Sequence, residues 1–190
     1  MKTILRSKGS FTTFFFFVVT IFSSCSRSEK GQTANLKMTK VGDLVVYSQL
    51  LTMEDICQNA REKGEILNED SVKSFLKRNV LFLITIKPNK DKIGNSDILA
   101  NGVNSWDEYQ SKMQTMNFSM EPFFELLTNK SRTKALYVHF ENYYGLSNKV
   151  VFNVGFGNSD DKEFEVIYTD PFYNLGQVHF YYNMQDTTQN

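Results

Sequence analysis

Five short runs, at 122–127, 135–142, 149–156, 163–169 and 177–182, are apolar or alternate apolar with polar residues, and they follow one another through the last third of the chain. The pieces TNKSRTK, YYGLSN, GNSDDK and DPFYNLG separate them. Strand side chains point alternately to two faces, so runs this short bury an apolar face only by pairing side by side and stacking sheet on sheet. The succession predicts a mainly β chain folded as an antiparallel β-sandwich. At 122–127 a second reading competes, because Pro122 could open a helix carrying Phe123, Phe124, Leu126 and Leu127. The hairpin-like loop 128–134, leading into Ala135, favours a strand.

The first half of the domain mixes strands with two or three short helices. Residues 41–51 (VGDLVVYSQLL) have a β-branched centre and predict a first strand. Residues 80–87 (VLFLITIK) are apolar almost throughout, which predicts burial on both faces in mid-sheet, with Pro88 as the stop. Thr52 is placed to cap a helix that carries Ile56, Cys57 and Ala60 on one face and ends at Gly64. A second helix, 69–78, has Val72, Phe75 and Leu76 at helical spacing. Ser105-Trp-Asp-Glu108 has the form of a capping box and predicts a helix running to about Met113.

Ahead of this domain, Lys2, Arg6 and Lys8 precede the apolar run 11–22, and Ser23-Ser24-Cys25 follow it. A basic start, an apolar stretch of about 7–15 residues and then small residues make an export signal. The stretch is too short for a membrane-spanning helix, which needs about 20 residues. Ile21-Phe22-Ser23-Ser24-Cys25 resembles the lipobox of bacterial lipoproteins, with Phe22 where that family usually has Leu. The resemblance implies a discarded signal at 1–24, a lipid on Cys25, attachment to the membrane through that lipid, and a place in the cell envelope, at the outer membrane by preference because Ser26 follows the cysteine. Several acyl chains hold a protein stably where one holds it marginally. Residues 25–40 are polar and are expected to be the lipidated cysteine and a flexible tether. The globular domain is expected at 41–184 and a disordered tail at 185–190.

Loss of residues 1–24 removes three bases and no acid, so 18 Lys and Arg would face 21 Asp and Glu. A slightly acidic chain with no basic stripe argues against a nucleic-acid partner, since such binding rests on phosphate neutralisation. Of the two cysteines one is Cys25, which leaves Cys57 without an intradomain disulfide partner. Stability must come from packing, and beyond residue 24 there are 11 Phe and 9 Tyr available for it.

The search for chemistry finds no catalytic group, metal site or cofactor motif. A nucleophilic Cys57 would need an electropositive, partly exposed setting. Its place between Ile56 and Ala60, after Glu54 and Asp55, fits a buried structural thiol instead. His139 and His179 are the only histidines, and alternation puts both on outward strand positions with tyrosines, expected to share an outer face. That is too few ligands for zinc. Residues 89–94 begin like a calcium loop, but Ile93 and Ala100 fall where oxygen ligands are needed. The acids at 160, 161 and 163 read as solvated turn residues. Asp107 and Glu108, adjacent on a helix, do not face one another. No phosphate loop, G-x-S-x-G elbow or H-E-x-x-H is present.

One positive signal is aromatic. Tyr143, Tyr144, Phe172 and Tyr173 fall in predicted turns, where rigid rings can serve as contact surface, and they are the candidate partner-binding residues. The competing reading packs them under their own loops. The strand succession over about 115–183 resembles the immunoglobulin-like domains of bacterial envelope lipoproteins, without their antibody relatives' pair of inter-sheet cysteines. Together these features lead us to expect a non-catalytic protein-interaction module with an envelope protein partner, an accessory of a secretion or transport assembly. A glycan- or ligand-binding lipoprotein and a hydrolase with an unrecognised site are the alternatives.

Overall fold

Nine strands and three helices account for most of residues 35–89, 97–141, 148–158 and 161–184, the parts of the chain that the computed structural model describes. Strands β1 (Leu36–Val41), β2 (Leu44–Leu50), β3 (Asn79–Pro88), β7 (Val150–Gly157) and β6 (Tyr137–Glu141) form one antiparallel sheet in that order. Strands β5 (Arg132–Lys134), β4 (Phe124–Thr128), β8 (Glu163–Thr169) and β9 (Gln177–Asn183) form the second. Helices α1 (Met53–Glu62), α2 (Glu69–Leu76) and α3 (Trp106–Phe118) lie in the connections. The chain is thus mainly β, with two facing antiparallel sheets.

Aromatic rings fill the space between the sheets. Phe82 of β3 is fully buried, and its ring centroid lies 5.9 Å from those of Phe156 and Phe164 and 5.3 Å from that of Tyr182. Phe124 meets Phe152 of the opposite sheet and stacks on Tyr168. Edge-to-face and offset contacts of this kind add to the gain from area burial alone. Tyr182 also crosses the core with its hydroxyl, which donates to the carbonyl and the Oγ of buried Ser48, both at 2.8 Å. A buried hydroxyl without such partners would be costly.

The strongest predicted strand is the middle strand of its sheet, but only one of its faces is sealed. Val80, Phe82, Ile84 and Ile86 are buried, whereas Leu81, Leu83 and Thr85 are half-buried. An antiparallel sheet needs only one face on the core, so an apolar run overstates burial here.

Residues 41–51 are not one strand. Val41 pairs with Leu44 across a two-residue turn, and Gly42 takes the positive φ (57°) that such hairpin turns demand. The consequence corrects the expected tether. Leu36–Lys40 belong to strand β1 on the sheet edge, and residues 25–34 lie outside the described residues. The 135–142 run also divides. Ala135 N–H donates to Phe124 O in one sheet and Leu136 N–H to Gly155 O in the other, so the chain changes sheets between them. The Tyr137 ring then lies across Gly155, where any side chain would collide. The strand reading holds for 124–127, where Phe124, Leu126 and Leu127 belong to β4 and not to a helix, while Pro122 itself lies in the short 3-10 turn Glu121–Phe123 that leads into the strand.

Local capping follows the sequence. Thr52 and Asp55 form a reciprocal capping box at α1, and Asn68 accepts from the N–H groups of Asp70 and Ser71 at α2. Cys57 is buried on α1 and forms no disulfide. The two histidines do not share a face: His139 lies exposed on β6 of one sheet, and His179 on β9 of the other, paired with Glu165. Alternation within a strand fixes a side, but not the sheet to which the strand belongs.

Candidate functional site

At one end of the sandwich the β8–β9 connection meets the segment that enters α3. Helix α3 starts at Ser105, whose Oγ accepts from Glu108 N–H at 3.2 Å. The Glu108 carboxylate reaches back to Asn104 N–H at 2.7 Å, one residue before the N-cap position, and so varies the expected box. The helix runs five residues past Met113 to Phe118, because Met116 and the following Met120 are drawn into the core.

Asp97 opens a 3-10 turn at Ile98–Ala100. Its Oδ1 accepts from Leu99 N–H at 2.9 Å and its Oδ2 from the Tyr109 hydroxyl at 3.0 Å. Burial, then the hydrogen bond to Asp97 and its charge, hold the Tyr109 pKa above the usual phenol value. Trp106, the chain's single tryptophan, stacks on Tyr109 with centroids 5.4 Å apart and planes at 10°. Its side is nonetheless open to water: the residue is 68% exposed. A shallow, largely open groove of about 750 Å3 runs beside this pair. Ala100, Val103 and Met113 give it an apolar lining, and Asp97, Asn104 and Ser105 contribute polar groups.

Beneath the helix sits Lys112, only 6% exposed. Its Nζ donates to Asn101 O at 2.9 Å and lies 4.1 Å from the centroid of Tyr173 and 5.5 Å from that of Phe172. Burial lowers its pKa to about 8, against the opposing pull of the Asp170 and Asp97 carboxylates. Amines with lowered pKa can act as nucleophiles. Here the amine is bound to a backbone carbonyl under an aromatic ring, so it supports the loop from below.

Asp170 organises that loop. Its Oδ1 accepts from the Tyr168 hydroxyl at 2.8 Å and Phe172 N–H at 3.1 Å, and its Oδ2 from Tyr173 N–H at 2.6 Å and Leu175 N–H at 3.0 Å. Asn174 sits at φ 57° in the same turn. Phe172 and Tyr173, singled out in the sequence as contact residues, are half-buried and packed against the core. The Tyr173 hydroxyl is buried without a hydrogen-bond partner, and burial, then the charges of Asp170 and Asp97, push its pKa far up. Tyr143 and Tyr144 lie outside the described residues. Among the described residues no group of three or more His, Cys, Asp or Glu side chains converges as a metal site, and no helix is long and apolar enough to cross a membrane.

Lysine burial gives this cluster a measurable signature. Below pH 8 the ammonium is protonated in both folded and unfolded chains, and the fold carries the whole cost of burying it. Between pH 8 and the unfolded value of 10.5 the folded chain releases the proton first. Unfolding then takes up a proton, so stability rises with pH, by up to roughly 3 kcal/mol over the full interval. Urea midpoints measured from pH 7.5 to 9.5, before tyrosines ionise, should climb in the native protein and stay level in Lys112→Met. A level native curve would mean that water reaches Nζ.

Asp97, Trp106, Tyr109 and Lys112 carry no recognisable motif in the sequence. One signal was present, the single tryptophan on the first turn of a capped helix with a tyrosine three residues later. No family model matches the chain, and no curated protein or solved structure matches it.

Proposed function

We propose that the chain is a lipid-anchored lipoprotein of the bacterial envelope, held at the outer membrane through Cys25, whose domain works by binding and not by catalysis. The sequence pattern at 1–25 supports the anchor. Supporting the binding role is one observation above the rest: a 68% exposed tryptophan stacked on Tyr109 beside a shallow groove with polar groups on its lining. Of the two bound species that the sequence leaves open, an envelope protein and a small ligand or glycan, the exposed stacked tryptophan with Asp97, Asn104 and Ser105 beside it favours the second. The rings first assigned to the protein contact, Phe172 and Tyr173, instead pack against the core and Lys112. An immunoglobulin-like form finds support in the two facing antiparallel sheets, while the order β5-β4-β8-β9 departs from the A-B-E-D order of that family.

Metabolic labelling with palmitate tests the anchor. The native protein should take up label and fractionate with membranes, and Cys25→Ser should lose both properties. Label retained in that variant would remove the lipoprotein reading. In-cell crosslinking tests the bound species. A stoichiometric envelope protein captured by the native chain and lost in Trp106→Ala would replace the ligand with a protein partner.

A further inference from the structure

We infer that the groove beside α3 binds a neutral sugar ring, seated against Trp106 with its hydroxyls on Asp97, Asn104 and Ser105. This rests on the ligand-binding role proposed above and names the ligand's chemistry.

A pyranose has an apolar C–H face and a rim of hydroxyls, each of which donates and accepts. The groove has the complementary halves. Trp106 is held on one face by its stack on Tyr109 and is exposed on the other, so little side-chain freedom remains to be lost when a ligand covers it. Ala100, Val103 and Met113 continue that surface. The polar groups are of both kinds. Asp97 accepts one hydrogen bond on each carboxylate oxygen and has lone pairs left for more. Ser105 Oγ accepts from Glu108 N–H and still has its own proton to donate. The Asn104 side-chain amide donates and accepts.

Charge narrows the class. Asp97 lines the groove, Asp107 and Glu108 stand in the first turn of α3, and the nearby Lys112 is committed to Asn101 O and two rings. Uronates and phosphorylated sugars would meet these carboxylates with no free cation among the described residues that line the groove. A cationic ligand would gain more from those carboxylates than the partial charge at the α3 N-terminus would cost it, and the basic peptides in the titration below test that occupant. A neutral sugar meets no charge penalty and uses the donors of Ser105 and Asn104 as well as the acceptors of Asp97.

Because Trp106 is the only tryptophan, its emission reports on this groove in the full-length lipidated protein in detergent. The titrants are neutral oligosaccharides of glucose, galactose, mannose and N-acetylglucosamine, uronate oligosaccharides, and short acidic and basic peptides. At least one neutral sugar should shift the emission saturably below about 10 mM, and the uronate series should bind at least tenfold more weakly. Saturation-transfer NMR should show the same sugar bound at least fivefold more weakly by Asp97→Asn and not bound by Trp106→Ala, with Trp106→Ala melting as the native protein does. A uronate or peptide response without a neutral-sugar response would overturn the sugar assignment and leave the ligand-binding groove standing. Silence from every titrant would overturn both. Sugar binding that survives Trp106→Ala would place the sugar elsewhere and overturn the assignment as well.

Discussion

Phe82→Ala should lower the unfolding free energy by about 3–5 kcal/mol, the range for removal of a fully buried phenylalanine. Its ring is the point where β3 of one sheet meets β8 and β9 of the other, through Phe164 and Tyr182, while Phe156 closes it from the neighbouring strand. Truncation opens a cavity walled by three rings, which are too bulky to collapse into it. Phe82→Leu retains most of the volume and should cost roughly 1–2 kcal/mol. Equilibrium urea unfolding checks the pair. Similar midpoints for Phe82→Ala and the native protein would mean that the sheets are not joined through this ring.

Asp170→Ala should cost about 3 kcal/mol, although Asp170 is only partly buried. The side chain receives four donors, the Tyr168 hydroxyl and three backbone N–H groups of the loop it precedes. Hydrogen bonds to a charged acceptor contribute about 1.5–3 kcal/mol each and are not additive when they share one group. Alanine leaves all four donors unmatched and removes the carboxylate that helps to hold Lys112 protonated. Asp170→Asn keeps one oxygen acceptor and should lose about half as much, with the Lys112 transition moved to lower pH. For a domain of this size each kcal/mol lowers Tm by about 2–4 °C, so calorimetry separates the two variants. Equal losses would show that charge, and not acceptor geometry, organises the loop.

The parts of the fold that were legible in the sequence are those set by neighbours in the chain. Strands β7, β8 and β9 lie within a residue of the expected 149–156, 163–169 and 177–182, since alternation and turn chemistry both mark them. The helix caps at Thr52 and Ser105 are local in the same way. Strand β1 was missed because LKMTK alternates without a buried face: Leu36, Met38 and Lys40 point outward from a sheet edge. The site was less legible still. In WDEYQSKMQ, Lys112 reads as one more solvated helix residue, and only tertiary structure brings Phe172 and Tyr173 over it. Likewise, turn residues such as Phe172 and Tyr173 read as exposed until Asp170 is seen to fold their loop inward.

The pairing of β3 with β7 sets an order of events in time. Phe82 lies opposite Val154, about 70 residues further on, and contacts of such separation close late. Before β7 is made, β1, β2 and β3 can form no more than a ribbon, with Phe82, Ile84 and Ile86 uncovered. A chain led by an export signal and threaded N-terminus first would therefore be unable to lock into its final form until nearly all of it had been delivered. For the export proposed above, the strand order would act as a delay, keeping the polypeptide threadable during transit and letting it set only after arrival.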